Sequence, residues 1–230
     1  MTLRALIFDV DGTLAETEEA HRRAFNESFA AHGLGWHWDR PAYARLLRTT
    51  GGKERIRAFM AETGQQGPGV SALHADKTRR FAAILDAGGL DLRPGVAELV
   101  AGARAAGLAV AVATTTSRPN VEALCRCCWG RPAVAVFDVI AAGDEVARKK
   151  PAGDVYTLAL ARLRLQPGQA LALEDSRNGV LSARAAGLAV LVTPSAYTGG
   201  EDFDGATVIP TLERAHLPGP LLARLDRIRA

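Results

Sequence analysis

Two carboxylates stand where an apolar run ends. Leu3 to Phe8, interrupted only by Arg4, reads as a buried strand, and Asp9 and Asp11 follow it directly. Side chains alternate along extended chain, so positions two apart point the same way. Asp9 and Asp11 are therefore expected to aim into one cavity, with Gly12 letting the chain turn sharply behind them. Like charges so placed repel, and a divalent cation between them makes the arrangement favourable. Taken alone, the pair also fits an ordinary turn, where Asp is common.

Three more groups follow predicted strands. Thr114-Thr115-Thr116-Ser117 comes after the apolar run ending at Ala113. Hydroxyls and freed N–H groups ahead of a helix make an anion cradle, although simple N-capping explains them equally. Lys150 puts a compact positive charge ahead of a helix whose start Pro151 is expected to set. Glu174-Asp175-Ser176 ends the strand expected over 170–173. A second acidic pair at a strand end adds negative charge where only a cation rewards it. Together the four groups hold a hard cation, an oxyanion and a free carboxylate, which is the equipment of metal-assisted phosphoryl transfer.

The elements that must position these groups alternate. After the first strand, residues 17–32 read as a helix with Ala20, Ala24, Phe25 and Phe29 as its stripe. Only helical signals follow, over 43–48, 56–62 and 73–86, with glycine breaks at 51–52, 64–69 and 88–89. The strand–helix alternation resumes at Leu92. Helices are expected over 94–106, 120–128, 154–164, 177–186 and 220–228, and strands over 108–113, 136–141, 170–173, 188–192 and 208–209. This order predicts an α/β fold, a Rossmann-like parallel sheet with helices on both faces, plus a small all-helical cap inserted after the first strand. The core is expected over 1–15 and 89–230 and the cap over 16–88, with hinges near Ala15-Glu16 and Gly88-Gly89.

The order D-x-D-G-T, T after a strand, K-P and E-D resembles the haloacid dehalogenase-like superfamily across nearly the whole chain. The insert position resembles the branch holding beta-phosphoglucomutase, phosphoglycolate phosphatase and the CbbY-type phosphatases, the last acting on xylulose 1,5-bisphosphate. The resemblance implies Asp9 as nucleophile forming an aspartyl-phosphate, and Asp11 as acid and then base. It implies a Mg2+ ion held by Asp9, Asp11 (through its backbone carbonyl), Asp175 and, directly or indirectly, Glu174. Thr114 and the Thr115 N–H would bind phosphate, and Lys150 would neutralise charge on the nucleophile and phosphoryl oxygens. Thr13 resembles the phosphatases rather than the mutase. Dehalogenation needs no magnesium and would leave Asp11, Glu174 and Asp175 without a purpose.

The cap is expected to choose the substrate. Glu18 and His21 share one face of its first helix, three positions apart. Thr50-Gly51-Gly52-Lys53 and Arg55 form a loop opening a helix, with two cations that suit a second phosphate. His74, Lys77 and Arg80 form a weaker basic cluster; Thr115, Thr116 and Ser117 of the cradle are expected to bind substrate, and Arg118 and Asn120, just after it, to reach the same space. A solvated charged helix face is the plain alternative for the cap cations. The expected partner is a phosphorylated sugar, hydrolysed or, in the mutase-like alternative, isomerised.

Composition narrows the rest. Of 230 residues 48% are hydrophobic and 23% charged, which supports an ordinary globular core. A net charge of +3, with no basic run longer than Arg148-Lys149-Lys150, gives no footprint for nucleic acid. No run approaches the roughly 18 apolar residues of a membrane span. The first apolar run breaks at once on Asp9 and Asp11, unlike a signal peptide, so a cytoplasmic location is expected. A core covered by its own cap needs no partner subunit, so a monomer is expected. Cys125, Cys127 and Cys128 are too few and too close for a disulfide framework.

Overall fold

The computed structural model describes residues 2–226. Six parallel strands lie in the order β3-β2-β1-β4-β5-β6. They are β1 (Ala5–Phe8), β2 (Ala109–Ala113), β3 (Val139–Ala141), β4 (Ala170–Glu174), β5 (Ala189–Val192) and β6 (Thr207–Val208). β1 sits at the centre, pairing Phe8 with Val112 on one side and with Leu173 on the other. Its four side chains are all buried, as a strand covered on both faces requires. Leu6 and Phe8 enter one apolar cluster, Ala5 and Ile7 the other. Successive strands step outward from β1 to β3, and the chain then returns to place β4 on the opposite side. That reversal opens a crevice at the carboxyl ends of β1 and β4.

The sheet is covered by α5 (Val96–Ala105), α6 (Arg118–Trp129), the short α7 (Ala133–Val136), α8 (Asp154–Leu163), α9 (Arg177–Ala185) and α10 (Gly219–Leu225). Between β1 and α5 lie α1 (Glu18–Ala31), α2 (Arg40–Leu46), α3 (Gly52–Thr63) and α4 (Val70–Asp86), with no strand among them. These four helices share an aromatic core. Phe25, Phe29, Trp38 and Tyr43 are buried there, and the Trp38 ring stands 4.7 Å from Phe25 and 4.8 Å from Phe29. Phe81 and Leu85 of α4 instead join the cluster under the sheet. No helix of the described residues is long and apolar enough to cross a membrane.

Several boundaries differ from the sequence reading for local reasons. Pro94 does not open α5. Gly95 follows it at φ 84°, where a Cβ would lie 2.1 Å from the Glu213 backbone nitrogen, and the helix starts at Val96, two residues later than expected. Pro151 does not start α8 either: Lys150 and Pro151 lie in a turn, and the helix begins at Asp154. The apolar run expected as one strand over 136–141 divides into the end of α7 and β3. Between them Asp138 donates its N–H to the Val110 carbonyl and accepts the Val110 N–H on its side chain. α2 starts earlier than the apolar pattern suggested, because Asp39 caps it by accepting from the Ala42 N–H at 2.8 Å. The final helix was expected to reach 228, and its last residues lie outside the described range.

Phe29 is fully buried among Trp36, Trp38 and Phe25. Phe29→Ala is expected to lower unfolding stability by about 3–5 kcal/mol in urea titration.

Candidate active site

The site is built around Lys150. Its ammonium reaches Asp9 Oδ1 at 2.6 Å from the end of β1 and Glu174 Oε1 at 2.6 Å from the end of β4. All three side chains are buried. The Tyr156 hydroxyl, in the first turn of α8, donates to the same Glu174 oxygen. Gly179 supports this carboxylate from below. A Cβ there would lie 1.8 Å from Glu174 Oε2, so only bare backbone lets the side chain lie flat.

Asp9, Glu174 and Asp175 each offer an oxygen within 4.8 Å of the others. Three carboxylates thus face one ammonium. Burial raises the Asp9 carboxyl to about 7, with Lys150 opposing and Glu174 and Asp11 adding to the rise. Asp175 is raised well above the usual range by burial, then by Asp9 and Glu174. Burial works against the charge on Lys150, but Asp9 and Glu174 outweigh it and hold the amine above its ordinary value. Glu174 Oε2 is buried and accepts no hydrogen bond. An all-oxygen donor set with excess negative charge fits a hard divalent cation and does not suit a soft one.

Asp11 does not join this cluster. Its Oδ1 accepts from Thr17 Oγ1 at 2.6 Å and lies 2.9 Å from His21 Nε2. Lys77 Nζ stands 2.6 Å from His21 Nδ1. An ammonium can only donate, so Nδ1 accepts and Nε2 carries the proton given to Asp11. The ring stacks on Phe81 at 3.8 Å. Burial works against the Asp11 charge, yet His21, Thr17 and Lys77 hold it down at about 2. Lys77 falls to about 7, first through burial.

One cavity of about 340 Å³ joins these groups to the helical layer. Asp9, Asp11, Lys150 and Asp175 form its floor. Glu18 and His21 enter from α1, Lys77 from α4, and Thr50, Gly51, Gly52, Lys53 and Arg55 from the start of α3. Thr115, Thr116 and Ser117 line the wall ahead of α6. Thr114 lies just behind them, fully buried, its Oγ1 accepting the Thr116 N–H. Arg118 turns outward, donating to the Ile140 carbonyl with Glu145 3.5 Å away. Arg55 is buried against Tyr43 and the Leu46 carbonyl, whereas Lys53 is exposed at the rim. Gly52 packs against His74, and a Cβ there would lie 2.7 Å from its ring. Thr50 Oγ1 donates to the Lys150 carbonyl, which joins the α3 loop to the floor.

Some participants carried no usable signal in the sequence. Tyr43 links Glu18 to Arg55, its hydroxyl donating to the Glu18 carboxylate and accepting from the Arg55 guanidinium, yet it reads as an apolar helix position. Thr198 Oγ1 donates to the Asp175 carbonyl from a loop with no pattern. Tyr156 and Gly179 stand beside recognised motifs, where spacing alone assigns them no role.

A buried carboxylate–lysine pair and an acidic cluster at the reversal point of a parallel sheet define a phosphoryl-transfer type of site. The haloacid dehalogenase-like hydrolase family matches residues 3–187. CbbY of Cereibacter sphaeroides is 57% identical over 206 residues, 89% of this chain and 90% of that protein. CbbY of Rhodobacter capsulatus is 57% identical over 219 residues, 94% and 96% of the two chains. The crystal structure of CbbY from Rhodobacter sphaeroides in complex with phosphate superposes with a TM-score of 0.91 at 53% identity, covering 98% of this chain and 100% of that one. A mutant of it in complex with xylulose-(1,5)bisphosphate gives 0.89 at 54%, covering 93% and 96%. The chain belongs to the haloacid dehalogenase-like hydrolases. Within that family it is a phosphatase, similar to the CbbY proteins through nearly its full length.

Removing the Lys150 charge leaves Asp9 and Glu174 buried without a counter-ion. Lys150→Met is expected to cost about 3–5 kcal/mol of stability by urea unfolding without added metal. Gly179→Ala should displace Glu174 and cost about 1–3 kcal/mol in the same measurement.

Proposed function

We propose that this chain is a magnesium-dependent sugar-bisphosphate phosphatase, with xylulose 1,5-bisphosphate hydrolysed to xylulose 5-phosphate. The observation that carries the reading is Asp9, held by Lys150 beside Asp175 at the floor of a cavity of about 340 Å³. Such a volume accepts a phosphorylated pentose. The 54% identical structure that binds xylulose-(1,5)bisphosphate supports the substrate.

Asp9 attacks phosphorus, and the bond from phosphorus to the sugar oxygen breaks as an aspartyl-phosphate forms. Lys150 keeps the attacking carboxylate oriented and offsets charge on the phosphoryl oxygens. A Mg2+ ion held by Asp9 and Asp175 would supply further charge neutralisation when bound. Asp11 must leave Thr17 and His21 to reach the departing oxygen. Freed of those partners, its buried carboxyl regains affinity for a proton and delivers it to the sugar alkoxide. Asp11 then takes a proton from water as that water attacks phosphorus, releasing phosphate and restoring Asp9. Thr114 and Thr115 hold the transferred phosphate. Thr116, Ser117 and Lys53 face the far end of the substrate, where a second phosphate fits.

Residues 16–88 serve as the cap, moving about the linkers that hold Ala15 and Gly88-Gly89 to admit substrate and exclude water. The chain's own residues line the whole cavity, which supports a monomer as the working form; the location proposed with it is the cytoplasm.

The test is a panel of sugar mono- and bisphosphates assayed for phosphate release with Mg2+ and with EDTA. Xylulose 1,5-bisphosphate is expected to give the highest kcat/KM, with activity lost in EDTA and restored by Mg2+. Conversion of a hexose 1-phosphate to its 6-phosphate without phosphate release would replace hydrolysis by phosphotransfer. Asp9→Asn is expected to lose at least about a thousandfold in kcat, about 4 kcal/mol on the barrier. Near-normal turnover in that variant would remove Asp9 as nucleophile.

A further inference from the structure

Arg93 is absent from every motif of the sequence, yet it makes more polar contacts to main-chain carbonyls around the acidic loops than any motif residue. It lies where two linkers cross, one leaving β1 for α1 and the other returning from α4. There Ala15 bridges Leu92, and the Arg93 N–H donates to the Leu14 carbonyl at 2.8 Å. The guanidinium is largely buried, its side chain 12% exposed.

Nη1 donates to the Gly12 carbonyl and, at 2.8 Å, to the Thr193 carbonyl. Nη2 donates to the Pro194 carbonyl at 2.7 Å, and Nε lies 3.3 Å from Glu16. One rigid fork therefore holds two loops. The first continues directly from Asp9 and Asp11. The second leads through Ser195, whose N–H donates to Thr198 Oγ1 at 2.8 Å, to the Asp175 carbonyl that Thr198 bonds at 2.7 Å. The loops meet closely at the far side. Gly12 adopts φ 83°, and a Cβ on it would lie 2.2 Å from Asp175 Oδ2 and 3.1 Å from Ser195 Cβ. Gly12 thus lets the Asp9 and Asp175 loops approach, and Arg93 is placed to hold them there.

We propose that Arg93 is a positioning residue, setting the separation of the Asp9 and Asp175 loops by bridging the Gly12, Thr193 and Pro194 carbonyls. Through Glu16 the same side chain ties that separation to the linker of the helical layer. The inference rests on the reading of Asp9 and Asp175 as a divalent-cation site. A lysine keeps the charge but not the fork, so it holds one loop and not both.

The experiment measures Mn2+ binding to the purified protein by calorimetry and electron paramagnetic resonance, with no substrate present, for the unaltered chain, Arg93→Lys and Arg93→Ala. Thermal unfolding is recorded for each in metal-free buffer. The expected result is a loss of Mn2+ affinity of at least tenfold in Arg93→Lys, with its metal-free unfolding temperature within a few degrees of the unaltered chain. Arg93→Ala is expected to lose at least as much, and if it does not fold, Arg93→Lys decides. The KM for substrate at saturating metal should change less than the metal concentration giving half-maximal activity. Unchanged Mn2+ affinity in a folded Arg93→Lys would overturn the inference, as would losses that only follow reduced thermal stability. Absence of Mn2+ binding by the unaltered chain would instead overturn the cation-site reading on which it rests.

Discussion

The structure depends on one buried ammonium. Lys150 lies between Asp9 and Glu174, and these come from the two strands flanking the point where the sheet reverses. Such a triad does not stabilise the fold by much, since desolvating three charges costs about what their attraction returns. What it gives is geometry. Glu174, accepting from Lys150 and lying against the bare backbone of Gly179, has few orientations open to it, and it fixes the ammonium that reaches Asp9 Oδ1 at 2.6 Å.

The excess negative charge around that ammonium is the second constraint. Among the described residues Asp175 has no cationic partner, and burial together with its acidic neighbours pushes its carboxyl well above the ordinary range. Structural carboxylates are seldom left so, because an unpaired buried charge costs several kcal/mol. Asp11 has the opposite surroundings. Thr17, His21 and Lys77, all from the helical layer or its linker, keep it ionised and turned from Asp9. Two aspartates only two residues apart therefore have carboxyls at about 7 and about 2.

The helical layer is joined to this floor by polar contacts as well as packing. Thr50 reaches the Lys150 carbonyl, Lys77 reaches the ring that holds Asp11, and Arg93 joins Glu16 to the acidic loops. The layer's aromatic core is a cluster of its own, while Ala24 of α1 and Phe81 and Leu85 of α4 join the cluster beneath the sheet and Tyr197 packs against the aromatic core.

Periodicity and punctuation were enough to read most of the fold. Continuous apolar runs marked strands covered on both faces, and glycine breaks delimited the four helices between β1 and α5. The positions of Asp9 and Asp175 were legible for the same reason, since each directly follows a strand end where a parallel sheet opens its crevice, whereas Lys150 reaches that crevice from nine residues beyond the end of β3. Boundaries at Pro94, Pro151 and 136–141 were not, because they depend on contacts with distant backbone at Glu213 and Val110 or on a loop conformation. Which way Asp11 turns, how Tyr43 joins Glu18 to Arg55, and why Arg93 matters were decided by tertiary structure alone. Strand spacing sets where a side chain begins, but its direction depends on partners brought in from far along the chain, and no local pattern records those partners.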